Sequence, residues 1–268
     1  MKISCIIPTC DRKDMLEQTL QSVLNQTKGP DEIIVVNNGN NDVSIPSKFD
    51  GYIKVIRLPP HSGVSKARNA GAKFATHEIL AFLDDDDLWG REYLENVAKA
   101  FEKGADCVVS RLDRLIDGKI LPHKNAAGLI SIKNLLLFNP GITGSNITIK
   151  KNIFISLGGY DPKLPTSEDK SLVLELLLLN TASKIATLPD NQAIQRQYSG
   201  ERITNPQYLA IGINAFTKKY RHLMNKQTYF LNRWKYFKAC AEAGDEIAFV
   251  GRILYALIYR AAKFFSSF

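Results

Sequence analysis

The sequence predicts an α/β protein: a Rossmann-like mixed sheet flanked by helices, with a helical extension at the carboxyl end. Three observations carry this expectation. Short apolar, β-branched runs alternate with helical patterns through the first 110 residues, an order that gives parallel strands joined by crossover helices. One of these runs, Ile79 to Leu83, ends at four consecutive carboxylates, Asp84 to Asp87. Strands of open α/β sheets deliver ligand-binding groups at their carboxyl ends. After Asn205-Pro206 the pattern turns helical and basic to the end of the chain.

Taken in order, Lys2 to Pro8 reads as the first strand, with Ile6 and Ile7 apolar and Pro8 ending the ladder. Thr9 to Arg12 is a polar turn. A helix follows, with Asp14 near its start and Leu16, Leu20, Val23 and Leu24 on one face; Gly29-Pro30 stops it. Glu32 to Val36 is a second buried strand, running into Asn37-Asn38-Gly39-Asn40-Asn41-Asp42, and Tyr52 to Ile56 is a third. His61-Ser62-Gly63 leads into a helix from Val64 to Ala75. Its amino end carries Lys66, Arg68 and Asn69, a good setting for an anion. Beyond the four carboxylates come Leu88-Trp89, a helix near Arg91 to Lys103, and a strand from Ala105 to Ser110. Arg111 to Lys124 reads as a hairpin turning at Asp117-Gly118.

The next stretch is more mixed. Gly141 to Ile149 reads as a strand, Lys151 to Leu157 as a short helix, and Gly158-Gly159-Tyr160-Asp161 as a tight turn. Pro165 to Asp169 precedes the apolar helix Leu172 to Leu179, with Thr166/Ser167 and Glu168/Asp169 as its cap signature. Lys184 to Leu188 and Ala193 to Tyr198 are expected as edge strands. Three helices are expected near 206–222, 226–242 and 245–265.

At 268 residues and 45% hydrophobic content, wholesale disorder is excluded. The first residues lead directly into a strand, so no signal peptide is expected, and no segment approaches the roughly 20 apolar residues that cross a bilayer. Cys5, Cys10, Cys107 and Cys240 lie far apart, which suits reduced thiols in a cytosolic protein better than disulfides or zinc. The net charge of +8 is uneven: residues 206–268 hold ten Lys/Arg and three Asp/Glu, leaving +1 for the other 205. Such a basic region meets an anionic partner, nucleic acid or a membrane surface. No nucleic-acid-binding module is present, so nucleic acid is set aside.

Four like charges in a row repel one another unless something positive sits among them. At the end of a buried strand, a divalent cation carrying a phosphorylated ligand fits; the alternative is a solvated acidic loop. Six strings then occur in order: Ile6-Ile7-Pro8-Thr9 with Arg12; Val35-Val36-Asn37-Asn38-Gly39; Ala67-Arg68-Asn69-Ala70-Gly71; Leu83 to Trp89; Gly158-Gly159-Tyr160-Asp161; and Glu168-Asp169. With these, residues 3 to 204 resemble the family 2 glycosyltransferases of the GT-A fold.

The resemblance implies transfer of a sugar from a nucleoside diphosphate sugar to an acceptor hydroxyl, with inversion at the anomeric carbon. It divides the chain into a catalytic domain, 1–205, and the extension, 206–268. Within the domain, 1–110 form the nucleotide-sugar half and 111–205 the acceptor half. In the family's Asp-X-Asp motif, Asp84 would contact the ribose and Asp86 would hold Mg²⁺ or Mn²⁺, which neutralises the charge developing on the departing diphosphate. Asp85 stands between them in the donor site, and Asp87 is expected to face inward and cap the next helix. Pro8, Thr9, Asp11, Arg12 and Asn37 would line the base and ribose pocket, and Arg68 would approach the base or the phosphates. Asp169 would be the base that takes the acceptor proton, with Glu168 beside it; a helix amino-terminal cap is the other reading of both. Gly158 and Gly159 let the backbone pass close to the sugars.

Three departures from the family pattern bear on the donor. Asn37 and Asn38 stand where two acids are common, which weakens the preference for uracil. Cys10 replaces an aromatic residue that stacks on the base. Tyr198 replaces a histidine near the end of the domain, while Arg196 is a candidate for diphosphate oxygens or for a surface salt bridge.

In the last helix Arg252, Arg260 and Lys263 project within about 80° of one another, opposite Ile253, Leu254, Leu257, Ile258, Phe264 and Phe265. That helix would lie at a membrane interface, or pack on the catalytic domain or a second subunit in a homo-oligomer. The leading expectation is therefore a UDP-sugar-dependent transferase of the cytosolic membrane face, extending a surface glycan built on a lipid carrier. A nucleotide-sugar-binding protein without transfer activity is the alternative. A nucleotidyltransferase would need a glycine-rich, cationic first loop, which Thr9 to Arg12 is not.

Overall fold

The computed structural model describes residues 1–43, 45, 51, 53–179, 183–197, 205–245 and 250–258. Its strands are β1 (Ile3–Thr9), β2 (Glu32–Asn37), β3 (Ile53–Arg57), β4 (Ile79–Phe82), β5 (Asp87–Trp89), β6 (Cys107–Ile116), β7 (Lys119–Lys124), β8 (Ile147–Lys150) and β9 (Ile185–Arg196). They form one mixed sheet in the order β3-β2-β1-β4-β8-β6-β9-β5, with β7 paired to β6. β3, β2, β1 and β4 run parallel; β8 is antiparallel to β4 and to β6, and β9 runs parallel to β6 and antiparallel to β5.

The helices are α1 (Lys13–Leu24), α2 (Val64–Phe74), α3 (Tyr93–Glu102), α4 (Ile132–Leu137), α5 (Lys151–Ser156), α6 (Glu168–Leu179), α7 (Pro206–Lys219) and α8 (Lys226–Glu242). Residues 250–258 are also helical. Side-chain alternation along β1 sends Ile3, Cys5 and Ile7 to one face, where they meet Leu16, Leu20 and Val23 of α1 and Val97 and Phe101 of α3. Ile6 points to the other face, among Ala67 of α2, Phe154 of α5, Leu172 of α6 and Phe216 of α7. Both faces are covered, which is why these strands read as unbroken apolar runs.

Several sequence expectations change. Pro8 does not end its strand: β4 leaves β1 after Ile6, but β2 stays in register to Thr9. α1 stops at Leu24, before Gly29. Gly141 to Ile149 yields a strand only from Ile147, after a 3-10 turn at Gly144–Asn146. The two expected edge strands are one strand, β9, and it is interior, between β6 and β5. A run of isolated polar residues looked like an edge because its middle, Pro189 to Asn191, loops out of register with β6. α4 has no counterpart in the sequence reading. The hairpin does turn at Asp117-Gly118, both at positive φ (48° and 74°), as that turn type requires. All four cysteines are free, and no described helix is long and apolar enough to cross a membrane.

One ionic staple fixes the parallel edge. Glu32 at the start of β2 accepts from Ser4 Oγ of β1 (2.8 Å), Lys54 Nζ of β3 (2.7 Å) and the Thr76 N–H after α2 (2.9 Å). Burial alone would push its carboxyl up, but these donors outweigh burial and hold it at about 2. Because the folded value lies below the ordinary 4.5, the staple contributes fully above about pH 4.5 and is lost as pH falls toward 2. Glu32→Gln is expected to destabilise by about 1–3 kcal/mol at neutral pH. Urea titrations should also show a flatter acid limb between those two pH values; an unchanged limb would remove the staple.

Candidate active site

The carboxyl ends of β1, β2 and β4 converge on the acid run, and β5 begins inside it. Asp84 to Asp87 form a tight turn closed by the Asp87 N–H on the Asp84 carbonyl (3.1 Å), which divides their side chains between the interior and the opening. Asp85 and Asp87 are each 3% exposed, while the side chains of Asp84 and Asp86 keep 26% and 20% of their surface in solvent. Asp85 turns toward β1: its carboxylate accepts from Thr9 Oγ1 (2.7 Å), the Cys10 N–H (3.3 Å) and Arg12 Nη1 (2.8 Å). Burial pushes its carboxyl up to about 6 against the pull of Arg12. Arg12 also reaches Asp86 at 3.2 Å. The Thr19 hydroxyl of α1 lies 2.9 Å from the Asp85 carbonyl and 2.8 Å from that of Asp87.

Asp87 faces inward as expected but caps no helix, since it starts β5 and α3 begins after Glu92. Its carboxylate accepts from Ser145 Oγ (2.5 Å) and from the Arg196 N–H (3.2 Å). Burial, then Asp86 and Asp84, push its carboxyl well above the usual range. Trp89 Nε1 donates to the Ser145 carbonyl at 2.7 Å, so the Leu-Trp that follows the acids anchors the 3-10 turn over them. Asp84, Asp86 and Asp87 each offer an oxygen, all within 4.8 Å of one another. Three hard carboxylate oxygens so close together suit Mg²⁺ or Mn²⁺.

Arg68 is 2% exposed and lies between this cluster and the start of α6. Nη2 donates to Asp84 (2.6 Å), and Nη1 to Glu168 (3.0 Å) and Asp169 (3.1 Å). The sequence reading put Arg68 against the donor's base or phosphates; here its terminal nitrogens are taken by three acids. The ring of Tyr160 lies 4.9 Å from the guanidinium carbon. A Cβ on Gly144 would sit 2.0 Å from Nη2, so only glycine fits there. Asp169 is pushed well above the carboxylate range by burial and by Glu168, against Arg68 and the Gly144 N–H. Glu168 rises too, chiefly by burial. Glu168 and Asp169 open α6 rather than preceding it.

The next residue of α2 holds the glycine turn. Asn69 accepts from the Tyr160 N–H (2.9 Å) and donates to the Tyr160 carbonyl (2.8 Å). Gly158 and Gly159 lie at φ 77° and 74°, and a Cβ on Gly159 would meet Asn69 at 2.5 Å.

Around the expected base pocket, the polar atoms mostly hold one another. Asp11 (φ 56°) accepts from the N–H and side-chain amide groups of both Asn40 and Asn41. Asn37 donates to the Asn41 carbonyl and accepts from the Gly39 N–H. The Asn38 Oδ1 is buried without a hydrogen-bond partner. Pro8 continues β1 beside this loop. Arg196 lies near Asp86 and Asp87, and Tyr198 lies outside the described residues. Sequence reasoning missed Thr19, Gly144 and Ser145, which hold the site from outside any acidic or glycine-pair motif.

Residues 4–155 match the family model described as Glycosyl transferase family 2. The chain belongs to that family. An uncharacterized glycosyltransferase of Haemophilus influenzae is 30% identical over 186 residues, 65% of this chain and 62% of that protein. The amylovoran biosynthesis glycosyltransferase AmsE of Erwinia amylovora is 26% identical over 243 residues, 85% of this chain and 87% of AmsE. Against most of the first curated relatives it matches, the chain spans less than two thirds of their length. The mannosyltransferase PcManGT from Pyrobaculum calidifontis, solved with GDP-Man and Mn²⁺, superposes with a TM-score of 0.65 at 18% identity, over all of this chain and 81% of its own. At that identity the likeness fixes the fold, which is GT-A, and the acid triad of this family member sits at the carboxyl edge of its sheet.

Removing the Arg68 charge would leave three acids facing one another. Arg68→Met is expected to cost about 3–5 kcal/mol in stability, read from the urea midpoint. The loss should shrink as pH is lowered and those carboxyls take up protons. A loss that ignores pH would mean that Arg68 does not hold them.

Proposed function

We propose that the protein is an inverting, metal-dependent glycosyltransferase that moves a hexose or N-acetylhexosamine from a nucleoside diphosphate sugar, with UDP as the first candidate, to a hydroxyl of a growing surface glycan. The observation that supports this best is the single guanidinium joining Asp84 of the acid cluster to Asp169 of α6. It sets a carboxylate cluster for a diphosphate beside a second carboxylate for the acceptor.

In this reading Asp84, Asp86 and Asp87 hold Mg²⁺ or Mn²⁺, whose charge offsets that developing on the leaving diphosphate. Asp84 also meets the ribose. Asp169 keeps 16% of its side chain in solvent and takes the acceptor proton as the new bond forms on the face opposite the leaving group. Its raised affinity for a proton makes it the better base, and Arg68 orients it. Glu168, deeper and bonded to the same nitrogen, is assigned to holding Arg68, and Asp85 to tying the run to Thr9 and Arg12. Pro8, Asp11, Asn37 and Asn38 shape the base pocket, and Arg196 serves the diphosphate. Gly158 and Gly159 bring the backbone near the sugars.

Asp169→Asn is expected to lower transfer about 10²–10⁴-fold with donor binding kept, by calorimetry with UDP-sugars and GDP-sugars in Mn²⁺. Asp86→Asn should weaken the Mn²⁺-dependent binding itself. If wild type binds donors but neither transfers nor hydrolyses them, the inactive nucleotide-sugar-binding alternative replaces the enzyme.

Peripheral attachment to the cytosolic face of a membrane, and with it a lipid-linked acceptor, is the second part of the proposal. Val250, Ile253, Leu254 and Leu257 are 49–68% exposed and recur at helical spacing. The opposite side packs on α8, where Gly251 meets Phe237 and Tyr255 stacks on it. An apolar stripe on a region of net charge +7 suits an anionic lipid surface. The triple substitution Ile253→Ser/Leu254→Ser/Leu257→Ser should abolish flotation with anionic vesicles without lowering the melting temperature. A change of oligomeric state instead would assign the stripe to a second copy.

A further inference from the structure

β6 is irregular on both sides at one place. Against β9, Ser110 pairs with Leu188 but Arg111 with Gln192, so three β9 residues are skipped. Against β7, Leu112 pairs with Lys124 and Asp113 with Pro122, which leaves His123 as a bulged residue. Bulges bend a strand and re-aim its side chains. Arg114, His123 and Lys124 lie close together at these two irregularities.

The acid facing them among the described residues is Asp113, which is buried and bonded to Arg111 at 2.9 Å. Arg114 is half-buried, its Nε is shut off from solvent, and its side chain makes no hydrogen bond or ion pair with a described residue. Among the described residues Lys124 Nζ bonds the Asn139 carbonyl, at 3.4 Å, where Gly141 (φ 111°) packs on the Lys124 Cβ. Burial, then Arg114 and Lys124, lower the proton affinity of His123 against Asp113. Burial and Arg114 do the same to Lys124. Among the described residues the one acid near these cations is already paired with Arg111, and cations half withdrawn from water in excess of their counter-charge cost free energy until an anion joins them.

Their place relative to the acid cluster follows from register. Asp87 pairs with Gln195 and Gln195 with Arg114, and residues paired across strands share a face. Two strand spacings put Arg114 about 10 Å from Asp87, in the acceptor half. We propose that Arg114, His123 and Lys124 form a subsite for a phosphate group carried by the acceptor. A phosphate, with up to two charges, answers this cluster better than a single carboxylate. Only the word acceptor rests on the glycosyltransferase reading.

The test uses the full chain and the ring resonances of its four histidines, with His123 assigned by His123→Gln. Inorganic pyrophosphate without divalent cations should shift the His123 signals saturably and raise the ring's apparent pKa toward its ordinary value. Arg114→Gln should weaken the apparent affinity about tenfold or more, and Lys124→Gln provides a second variant should the first fail to fold. Phosphatidylcholine vesicles containing phosphatidylglycerol form the other arm: saturation by vesicles but not by pyrophosphate would assign the phosphate to a lipid headgroup. No saturable shift in either arm, or an equal shift with sodium chloride at matched ionic strength, overturns the subsite. No donor is present, so this outcome and that of the donor titrations are independent.

Discussion

The buried guanidinium of Arg68 is the constraint on which both sides of the site depend. At about 4 Å, two like charges in a partly dry site repel by about 4 kcal/mol, and three carboxylates from two distant segments meet here. Without a cation among them, the start of α6 could not lie beside the end of β4. Arg68 can be there because α2 is pressed onto the sheet at Gly71, where a Cβ would meet Ile6 at 2.5 Å, and because Gly144 has no side chain to displace it. Asn69 repeats the stitch one residue on by holding Tyr160. Two consecutive residues of one helix thus position the start of α6 and the glycine turn against the parallel strands, which ties the site's geometry to packing far from it.

The basic extension is less free than its charge suggested. Phe216, Tyr220 and Met224 belong to the same core as α2 and α6, the Tyr220 hydroxyl meets Ser171 and Glu175, and Asn232 bonds the Leu136 carbonyl. Lys219 pairs with Asp161 and Glu175. Lys170 of α6 lies buried against the Phe216 ring at 3.6 Å, and burial with Lys235 nearby lowers its ammonium to about 7. Much of the extension's polarity is therefore spent on α4, α6 and the glycine turn, and a chain cut at Asn205 would lose core. The exposed stripe at 250–257 is what remains for an outside partner.

Legibility followed how local the cause was. The parallel strands, α1 to α3 and the Asp117-Gly118 turn were readable because periodicity and turn chemistry act within a few residues. β9 was misread because pairing partners decide edge from interior, and Asp190 and Asn191 sit in a register break that no propensity foretells. The acid cluster was legible as chemistry, yet its supports were not. Ser145 lay inside an expected strand, and Thr19 was one polar residue among the apolar positions of α1. Arg68 was singled out for a donor contact, but its partners are acids about 16 and 100 residues away in sequence, a distance at which spacing says nothing about charge pairing.

The four consecutive aspartates illustrate how one run can serve two ends. The turn from Asp84 to Asp87, closed by the Asp87 N–H on the Asp84 carbonyl, buries Asp85 and Asp87 and leaves Asp84 and Asp86 partly in solvent. Arg12 answers Asp85 and Asp86 together, with Thr9 also on Asp85; Asp84 is answered by Arg68, and Asp87 by the Ser145 hydroxyl and the Arg196 N–H. The inward pair fixes the run to β1, the 3-10 turn and β9, and that rigidity lets the outward pair stand close together despite their repulsion. An Asp-X-Asp spacing in this turn thus keeps two carboxylates partly in solvent with a buried anchor between them. In this protein the intervening acid is that anchor.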